Sequence, residues 1–311
     1  MRKIGGTAIS GIIGTNPYKT PLDVYQDLVE GKTVETNDAM RRGVRLEPFL
    51  RSEFEANYGK IYMLADELDA MGIPWHKGPR GDVVATPKQH DFMSASLDDI
   101  GSFAGETVVV EYKTAGVNVM HQWGEVGTDA VPSHYKAQAA WYMAATGLNK
   151  TVLLAMVAGD FRHYIIRRDM EFEKLLLAAG ARFWNEHILP MSPPPVDGSE
   201  AWSERLDTIQ RTGMSAGTPE QVKALDNYLR AKEILDAAQK AERKFKNELV
   251  ASLGTSEGFM ADEIKVTYKP QSRASVDWEA FKKARGVHDS ELKAFEKRSS
   301  YYVLRTNGGG K

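Results

Sequence analysis

The sequence contains no cysteine, so disulfide bonds and metal sites built on thiolates are excluded. It has no apolar stretch near the roughly 20 residues that a membrane-spanning helix needs. The initial Met-Arg-Lys is followed by a glycine-rich stretch rather than by the apolar run of a secretory signal. These absences are typical of a protein kept in a reducing cytosol. We therefore expect a cytoplasmic location and no membrane partner.

Other absences narrow the chemistry. The seven histidines are scattered without an HExxH or clustered spacing, which argues against a histidine-based metal centre. The stretch GIIGTNPYKT ends like a nucleotide-binding P-loop, but Ile13 and Tyr18 occupy the two positions that require glycine. The formal net charge is −2, which provides no overall basic field. Any DNA binding must therefore come from local clusters of charge.

The first two thirds of the chain alternate between helical and strand patterns. Helical spacing predicts helices at 20–31, 37–59, 133–147 and 171–187. Apolar and β-branched runs predict strands at 73–75, 83–86, 92–97, 107–113 and 150–159, the last of which is followed by the segment FRHYIIRRD at 161–169. Strands with helices on both sides indicate an α/β (α+β) fold in which a mixed central sheet is flanked by helices.

A proline-rich segment marks the main boundary. The consecutive prolines of LPMSPPPVDGSE can neither continue a helix nor join a central strand. We therefore predict a first domain at 1–190 and a Pro/Gly-rich linker at 191–217. The remaining chain, 218–311, is predicted to form a small α+β extension of unknown role. Its elements would be a long amphipathic helix at 220–253, a strand near 259–270, a helix near 275–284 and a strand at 299–307.

The stretch VVVEYKTA places two opposite charges at the end of an apparently buried strand. Glu111 and Lys113 share one face of a strand and Tyr112 points to the other. The Glu-x-Lys triplet has little specificity, because Glu263-Ile264-Lys265 and Glu291-Leu292-Lys293 repeat it. It fits a simple ion pair or part of a metal-dependent nuclease site, since buried charges must be paired or bound to metal.

Neighbouring carboxylates favour the second interpretation. Asp98 ends a strand-like run and is separated from Glu111 by a predicted turn containing Gly101 and Gly105, so a hairpin would bring the two carboxylates together. Glu47 lies on a predicted helix among apolar residues, where a surface carboxylate is unexpected. Oxygen ligands of this kind suit Mg²⁺, and a metal-bound water can hydrolyse a phosphodiester.

Five motifs, in order, resemble the YqaJ-type viral recombinases, phage alkaline exonucleases related to lambda exonuclease with a PD-(D/E)XK, or restriction-endonuclease-like, core. The similarity extends over about 3–184 and rests on AISGIIGTNPYKTPLDVY, GVRLEPFL, SASLDDI, VVVEYKTA and HYKAQAAWYMAATG. The resemblance implies Mg²⁺-dependent digestion of linear double-stranded DNA from 5′ to 3′. The product would be a 3′ single strand for annealing.

The resemblance also implies roles for individual residues. Glu47, Asp98 and Glu111 would be metal ligands, together with the backbone carbonyl of Tyr112. The catalytic lysine would be Lys113, and Gln138 would help to place the water or the scissile phosphate. Two Mg²⁺ ions are expected, with Mn²⁺ as a substitute. The triplet departs from the usual pattern in having tyrosine where an aliphatic residue is common.

Further residues are candidates for DNA contact. By resemblance, Lys3, Ser10 and Ser96 would hold a 5′ phosphate. The basic cluster at 41–51, which includes Arg42 and Arg45, either contacts the DNA backbone or forms a solvated helix face.

The resemblance implies two partners and leaves two alternatives. The partners would be a phage single-strand annealing protein and further copies of the chain in a trimer, inside a bacterial host cell. The first alternative is an endonuclease or structure-specific nuclease of the same superfamily. The second is a DNA-binding scaffold without catalysis.

Overall fold

The computed structural model describes residues 2–32, 36–78, 81–209, 211, 213, 216–262, 264–272, 274–275 and 277–295. It divides into two compact units, Met1–Thr208 and Ile209–Lys311. The helices of the first unit are α1 (Gly6–Ile12), α2 (Pro21–Tyr25), α3 (Asp38–Asn57), α4 (Leu64–Ala70), α5 (Ser133–Thr146), α6 (Met170–Phe183) and α7 (Glu200–Asp207). Its strands are β1 (Trp75–Lys77), β2 (Val83–Ala85), β3 (Ala95–Ser96), β4 (Asp99–Phe103), β5 (Glu106–Ala115), β6 (Lys150–Val157) and β7 (Asp160–Arg167). Tighter or wider helical turns span Gln26–Glu30, Val117–Gln122 and Trp184–Ile188.

The central sheet is mixed, which confirms the predicted fold class. Its four strands have the order β4-β5-β6-β7. The β5–β6 pair is parallel, whereas β4–β5 and β6–β7 are antiparallel hairpins. A parallel pair needs a crossover connection, and α5 provides it. This helix ends where Gly147 adopts a left-handed conformation (φ 76°), as the glycine in the sequence predicts.

Strand β5 separates two layers of the core. Val109 packs in the cluster that contains the apolar residues of α1 and α5. Val108 and Val110 pack on the opposite face with Leu50 and Phe54 of α3. Alternation along the strand therefore sends Glu111 and Lys113 towards the α1–α5 side and Tyr112 towards α3.

The turn between β4 and β5 differs from the prediction in one residue. Ala104 and Gly105 form the turn, with φ values of 51° and 82°. Gly101 lies within β4 and pairs with Val108. A Cβ atom at Gly101 would lie 2.4 Å from the carbonyl oxygen of Lys60, so this glycine permits a close approach between backbones rather than a turn.

The first unit extends beyond the domain boundary predicted at 190. Trp202 and Ala201 of α7 are buried in the main core cluster. The hydroxyl of Tyr25 donates to the carbonyl oxygen of Met191 at 2.8 Å. Part of the predicted linker is therefore packed against the first unit, because the short helix that follows the prolines buries Ala201 and Trp202.

The second unit contains α8 (Pro219–Ser252), β8 (Gly258–Ala261), β9 (Ile264–Thr267), α9 (Trp278–Arg285) and α10 (Asp289–Leu292). Helix α8 begins with a capping box between Thr218 and Gln221 and has proline at its first position. Strands β8 and β9 pair antiparallel. The strand predicted at 299–307 lies outside the described residues. Within the described part of the chain, no helix combines the length and apolarity needed to cross a membrane.

Candidate active site

The β4–β5 hairpin brings Asp98 and Glu111 together. Asp99 pairs with Val110, so the next step of the register places Asp98 opposite Glu111. The main-chain N–H of Tyr112 donates to Oδ2 of Asp98 at 2.9 Å, which fixes the Asp98 carboxylate beside the strand. The proximity of two carboxylates, expected from the sequence, is therefore present.

Glu111 is the most deeply buried member of this group, with 2% of its surface exposed. Its Oε1 accepts hydrogen bonds from the ammonium of Lys113 and, at 2.9 Å, from Nε2 of Gln138. Its Oε2 is also buried and has no hydrogen-bond partner among the described residues. A buried carboxylate oxygen without a donor is costly in free energy unless a ligand satisfies it.

The electrostatics of the pair follow from this burial. Burial, reinforced by the negative charge of Asp98, raises the pKa of Glu111 to about 8. For Lys113, burial alone would lower the pKa, but the carboxylates of Glu111 and Asp98 outweigh it and raise the pKa above its usual range. Lys113 is therefore a permanent cation, and its ammonium lies 5.3 Å from the centre of the Tyr135 ring.

Gln138 is held by its own helix and by α1. Its Nε2 donates to Glu111 and also, at 2.9 Å, to the hydroxyl of Tyr142 on the next turn of α5. Gly6 of α1 lies directly against both side chains. A Cβ atom at Gly6 would lie 2.8 Å from Cγ of Gln138 and from the Tyr142 ring. The role of Gly6 could not be predicted, because a glycine near a helix start carries no sign of its distant neighbour.

A second polar group lies on the opposite face of β5. The hydroxyl of Tyr112 donates to Oδ2 of Asp99 at 2.8 Å, and Nη1 of Arg51 lies 3.3 Å from Oδ1 of Asp99. Burial raises the pKa of Asp99 to about 6, although the Tyr112 hydroxyl and Arg51 act in the opposite direction. The role of Asp99 was missed, and its only signal in the sequence was a second aspartate directly after Asp98.

Glu47 lies at the edge of the same site. It is exposed on α3 and lines a cavity of about 920 Å³ together with Asp98, Glu111, Lys113 and Gln138. The predicted apolar surroundings are only partly present. Leu50 is buried, but Phe49 is 52% exposed. Among the described residues, no three His, Cys, Asp or Glu side chains are close enough together to form a metal centre.

The predicted phosphate-binding residues are divided by the fold. Lys3 and Ser96 line the cavity, whereas the wall formed by the described residues does not include Ser10, Arg42 or Arg45. Ser10 is buried, and its hydroxyl donates to the carbonyl oxygen of Thr7 and accepts from Asn16. In this structure the Ser10 side chain stabilises the turn after α1.

Other cations reach the cavity instead. Arg51, the last member of the basic cluster, lines it together with Lys19 and Lys77, while Arg42 and Arg45 are exposed on the earlier turns of α3. Lys19 is paired with Asp27, which lines the same wall. The sequence could not show that Arg51, Lys19 and Lys77 lie near one another, since each is a single basic residue in a different part of the chain.

The donor set fits a hard divalent cation at one place. Two adjacent carboxylates, Asp98 and Glu111, offer oxygen ligands, and the buried Oε2 of Glu111 has no hydrogen-bond donor in the part of the chain that the structure describes. Glu47 supplies a third carboxylate on the cavity wall without joining the other two as a preformed centre.

Comparison with known proteins identifies the segment that carries this site. Residues 1–149 match the family model of the YqaJ-like viral recombinase domain. The matched segment contains Glu47, Asp98, Glu111, Lys113 and Gln138, so all five predicted catalytic residues lie within it.

Individual relatives were found in sequence and in structure. An uncharacterized protein, YqaJ of Bacillus subtilis strain 168, is 24% identical over 291 residues, which cover 90% of this chain and 84% of that protein. The exonuclease LHK-Exo of Laribacter hongkongensis in complex with dAMP has a TM-score of 0.43 and 16% identity, covering 61% of this chain and 89% of that one. A phage-related exonuclease from Haemophilus somnus 129PT has a TM-score of 0.38 and 14% identity, covering 61% and 96%.

Proposed function

We propose that this protein is a metal-dependent exonuclease of phage-type recombination. It would degrade one strand of linear duplex DNA from 5′ to 3′ and leave a 3′ single strand for annealing. The observation that supports this most is the connected group at the cavity floor. Glu111 accepts from both Lys113 and Gln138, while its second oxygen is buried without a partner among the residues that the structure describes.

In this proposal, Asp98 and Glu111 hold Mg²⁺ together with the main-chain carbonyl of Tyr112, and Glu47 orients a second ion or its waters. Mn²⁺ would serve as a substitute, because the donors are all oxygen atoms. A bound divalent cation supplies charge neutralisation at the phosphate and a bound water of lowered pKa.

The chain's own residues then carry the remaining tasks. Lys113 uses part of its ammonium for Glu111 and keeps other N–H donors for a phosphate oxygen, where negative charge grows during hydrolysis. Gln138 spends its N–H donors on Glu111 and Tyr142, so its carbonyl oxygen is left to accept a hydrogen bond from the attacking water. Burial of the Lys113–Glu111 pair strengthens these interactions.

DNA binding would rely on the cations of the cavity wall rather than on the whole surface. Lys77 and Arg51, which line the cavity, would contact the sugar-phosphate backbone, and Lys3 with Ser96 would contact a 5′ phosphate. We do not assign Ser10 to this task, because its hydroxyl is already bonded within the α1 turn. The product strand would pass to a phage annealing protein in the bacterial cytoplasm, and a trimer would keep the enzyme on DNA.

A cleavage assay tests the proposal. The purified protein is incubated with Mg²⁺ and three substrates: a linear duplex with a 5′ phosphate, the same duplex with a 5′ hydroxyl, and a closed circle. Digestion of the labelled 5′ strand from its end, with the circle intact, is expected. Cutting of the circle would favour an endonuclease, and DNA binding without any cleavage would favour a scaffold.

A further inference from the structure

The middle residue of the Glu111-Tyr112-Lys113 triplet makes polar contacts of its own. Its ring is buried in the apolar cluster that includes Leu50 and Phe54 of α3. Within that cluster, its hydroxyl donates to Asp99 at 2.8 Å. A hydroxyl is not needed to fill this space, since an aliphatic or phenylalanine side chain would pack there without a polar atom to satisfy.

Asp99 is the centre of the group. It is 3% exposed, and its two oxygens have separate partners. Oδ2 accepts from Tyr112, and Oδ1 lies 3.3 Å from Nη1 of Arg51. A carboxylate this deeply buried is costly unless both oxygens are satisfied. Tyr112 and Arg51 together meet that requirement.

The three residues come from the three elements that carry the site's carboxylates. Arg51 lies on α3 one turn after Glu47, at the i+4 position that shares its face. Asp99 opens β4 directly after Asp98. Tyr112 stands on β5 between Glu111 and Lys113, and its main-chain N–H holds Asp98. One small cluster therefore links α3, β4 and β5 beside the cavity, which Arg51 and Asp99 also line.

We propose that the Tyr112–Asp99–Arg51 cluster is a positioning device for the active site, an inference that rests on the proposed function. It acts through the backbone, because the side chains of Tyr112 and Asp99 bond to each other and contact neither DNA nor metal. The Tyr112 hydroxyl locks the β4–β5 hairpin so that Asp98 stays opposite Glu111. Arg51 ties the helix that carries Glu47 to the same hairpin. The cluster explains why this position holds a tyrosine, since an aliphatic residue would be sufficient for packing alone.

The test compares two buried tyrosines whose hydroxyls each make one 2.8 Å hydrogen bond, to Asp99 in Tyr112 and to the Met191 carbonyl in Tyr25. Tyr112→Phe and Tyr25→Phe should lower Tm by a similar amount, about 2–4 °C. Only Tyr112→Phe should lower kcat for Mg²⁺-dependent cleavage, by at least about 10-fold, with KM for DNA little changed. Equal kcat in both variants would mean that the Tyr112 hydroxyl is merely structural and would overturn the proposal.

A readout independent of activity separates this inference from the proposed function. Hydrogen exchange followed by mass spectrometry should show faster exchange in peptides covering 98–113 for Tyr112→Phe, and no change there for Tyr25→Phe. If the wild type cleaves no DNA, this exchange result still decides whether the hairpin is locked. Unchanged exchange in Tyr112→Phe refutes the lock whatever the enzyme does.

Asp99→Asn provides a second variant in case Tyr112→Phe fails to fold. It keeps the shape of Asp99 but removes the charge that pairs with Arg51 and weakens the acceptor of the Tyr112 hydroxyl, so it should also lower kcat and speed exchange in the same peptides. Because both residues act through the same cluster, the double variant should lose less than the product of the two single losses. If the losses of kcat simply multiply in the double variant, or if Asp99→Asn has wild-type kcat and exchange, the proposed role of the cluster is wrong.

Discussion

Two Glu-x-Lys triplets of this protein have opposite surroundings. Glu111 and Lys113 are buried on a central strand, and Glu111 also accepts from Gln138. Glu291 and Lys293 lie exposed at the end of α10 in the second unit. The two triplets have the same charged residues, but only the first pair is desolvated. Its charges lie in a low-dielectric environment, where electrostatic interactions are stronger. The chemical role of a Glu-x-Lys triplet thus depends on the burial and the neighbouring side chains of its charged residues.

The largest effect should come from the lysines of the two triplets. We expect Lys113→Ala to reduce kcat for DNA cleavage by about 10²–10³ or more, because the cation facing the scissile phosphate is lost. The matched Lys293→Ala should stay within about twofold of wild type, as exposed surface changes usually have little effect. Steady-state rates on an end-labelled duplex measure both. An active Lys113→Ala protein would refute the assigned site.

Burial also separates two tryptophans. Trp202 is 7% exposed in the core of the first unit, whereas Trp278 of the second unit is 64% exposed. We expect Trp202→Ala to destabilise the protein by about 3 kcal/mol, because it empties a packed site. Trp278→Ala should cost less than about 0.5 kcal/mol. Denaturant unfolding measures both free energies. If Trp202→Ala does not lower the free energy of unfolding, α7 is not part of the core of the first unit.

A smaller effect should follow from crowding Gln138, which donates a hydrogen bond to Glu111. Gly6→Ala places a methyl group 2.8 Å from Cγ of Gln138, whereas a Cβ atom at Gly5 meets only Oγ of Ser94 at 3.8 Å. We expect Gly6→Ala to cost about 1–3 kcal/mol of stability by overpacking and to lower kcat about 10-fold by moving Gln138. Gly5→Ala is the control, and equal kinetics in the two variants would show that Gln138 tolerates displacement.

The smallest effect concerns pH. Burial lowers the pKa of His163 below 6.5, so the folded state resists the proton that the unfolded chain accepts. Folding stability should therefore fall as pH drops below about 6.5. Thermal melts at pH 7.5 and 5.5 should show a smaller loss for His163→Gln than for wild type. An unchanged loss would assign the pH dependence to other groups.

Local patterns predicted much of the architecture. The run of β-branched apolar residues predicted β5, and the glycines at 31 and 147 predicted two helix ends. The proximity of Asp98 to Glu111 followed from the hairpin, although Gly101 proved to permit a close backbone approach instead of a turn. These features depend on neighbours in sequence or in one hairpin, where periodicity and turn chemistry suffice.

Contacts between distant elements could not be predicted in this way. Gly6 meets Gln138 only because α1 packs on α5, and Arg51 meets Asp99 only because α3 packs behind the sheet. Trp202 followed a proline-rich stretch that looked like a linker, yet its apolar surface is buried. Tertiary packing decides such cases, and a single sequence carries no direct record of it.

The two oxygens of Glu111 divide their tasks. Oε1 is fully engaged by Lys113 and Gln138, which prevents the carboxylate from rotating, while Oε2 is held in place without a donor among the described residues. An incoming ligand would therefore meet an oxygen whose orientation is already fixed. The Glu111 side chain loses its conformational entropy during folding. Binding of a ligand at Oε2 therefore does not carry this entropic cost.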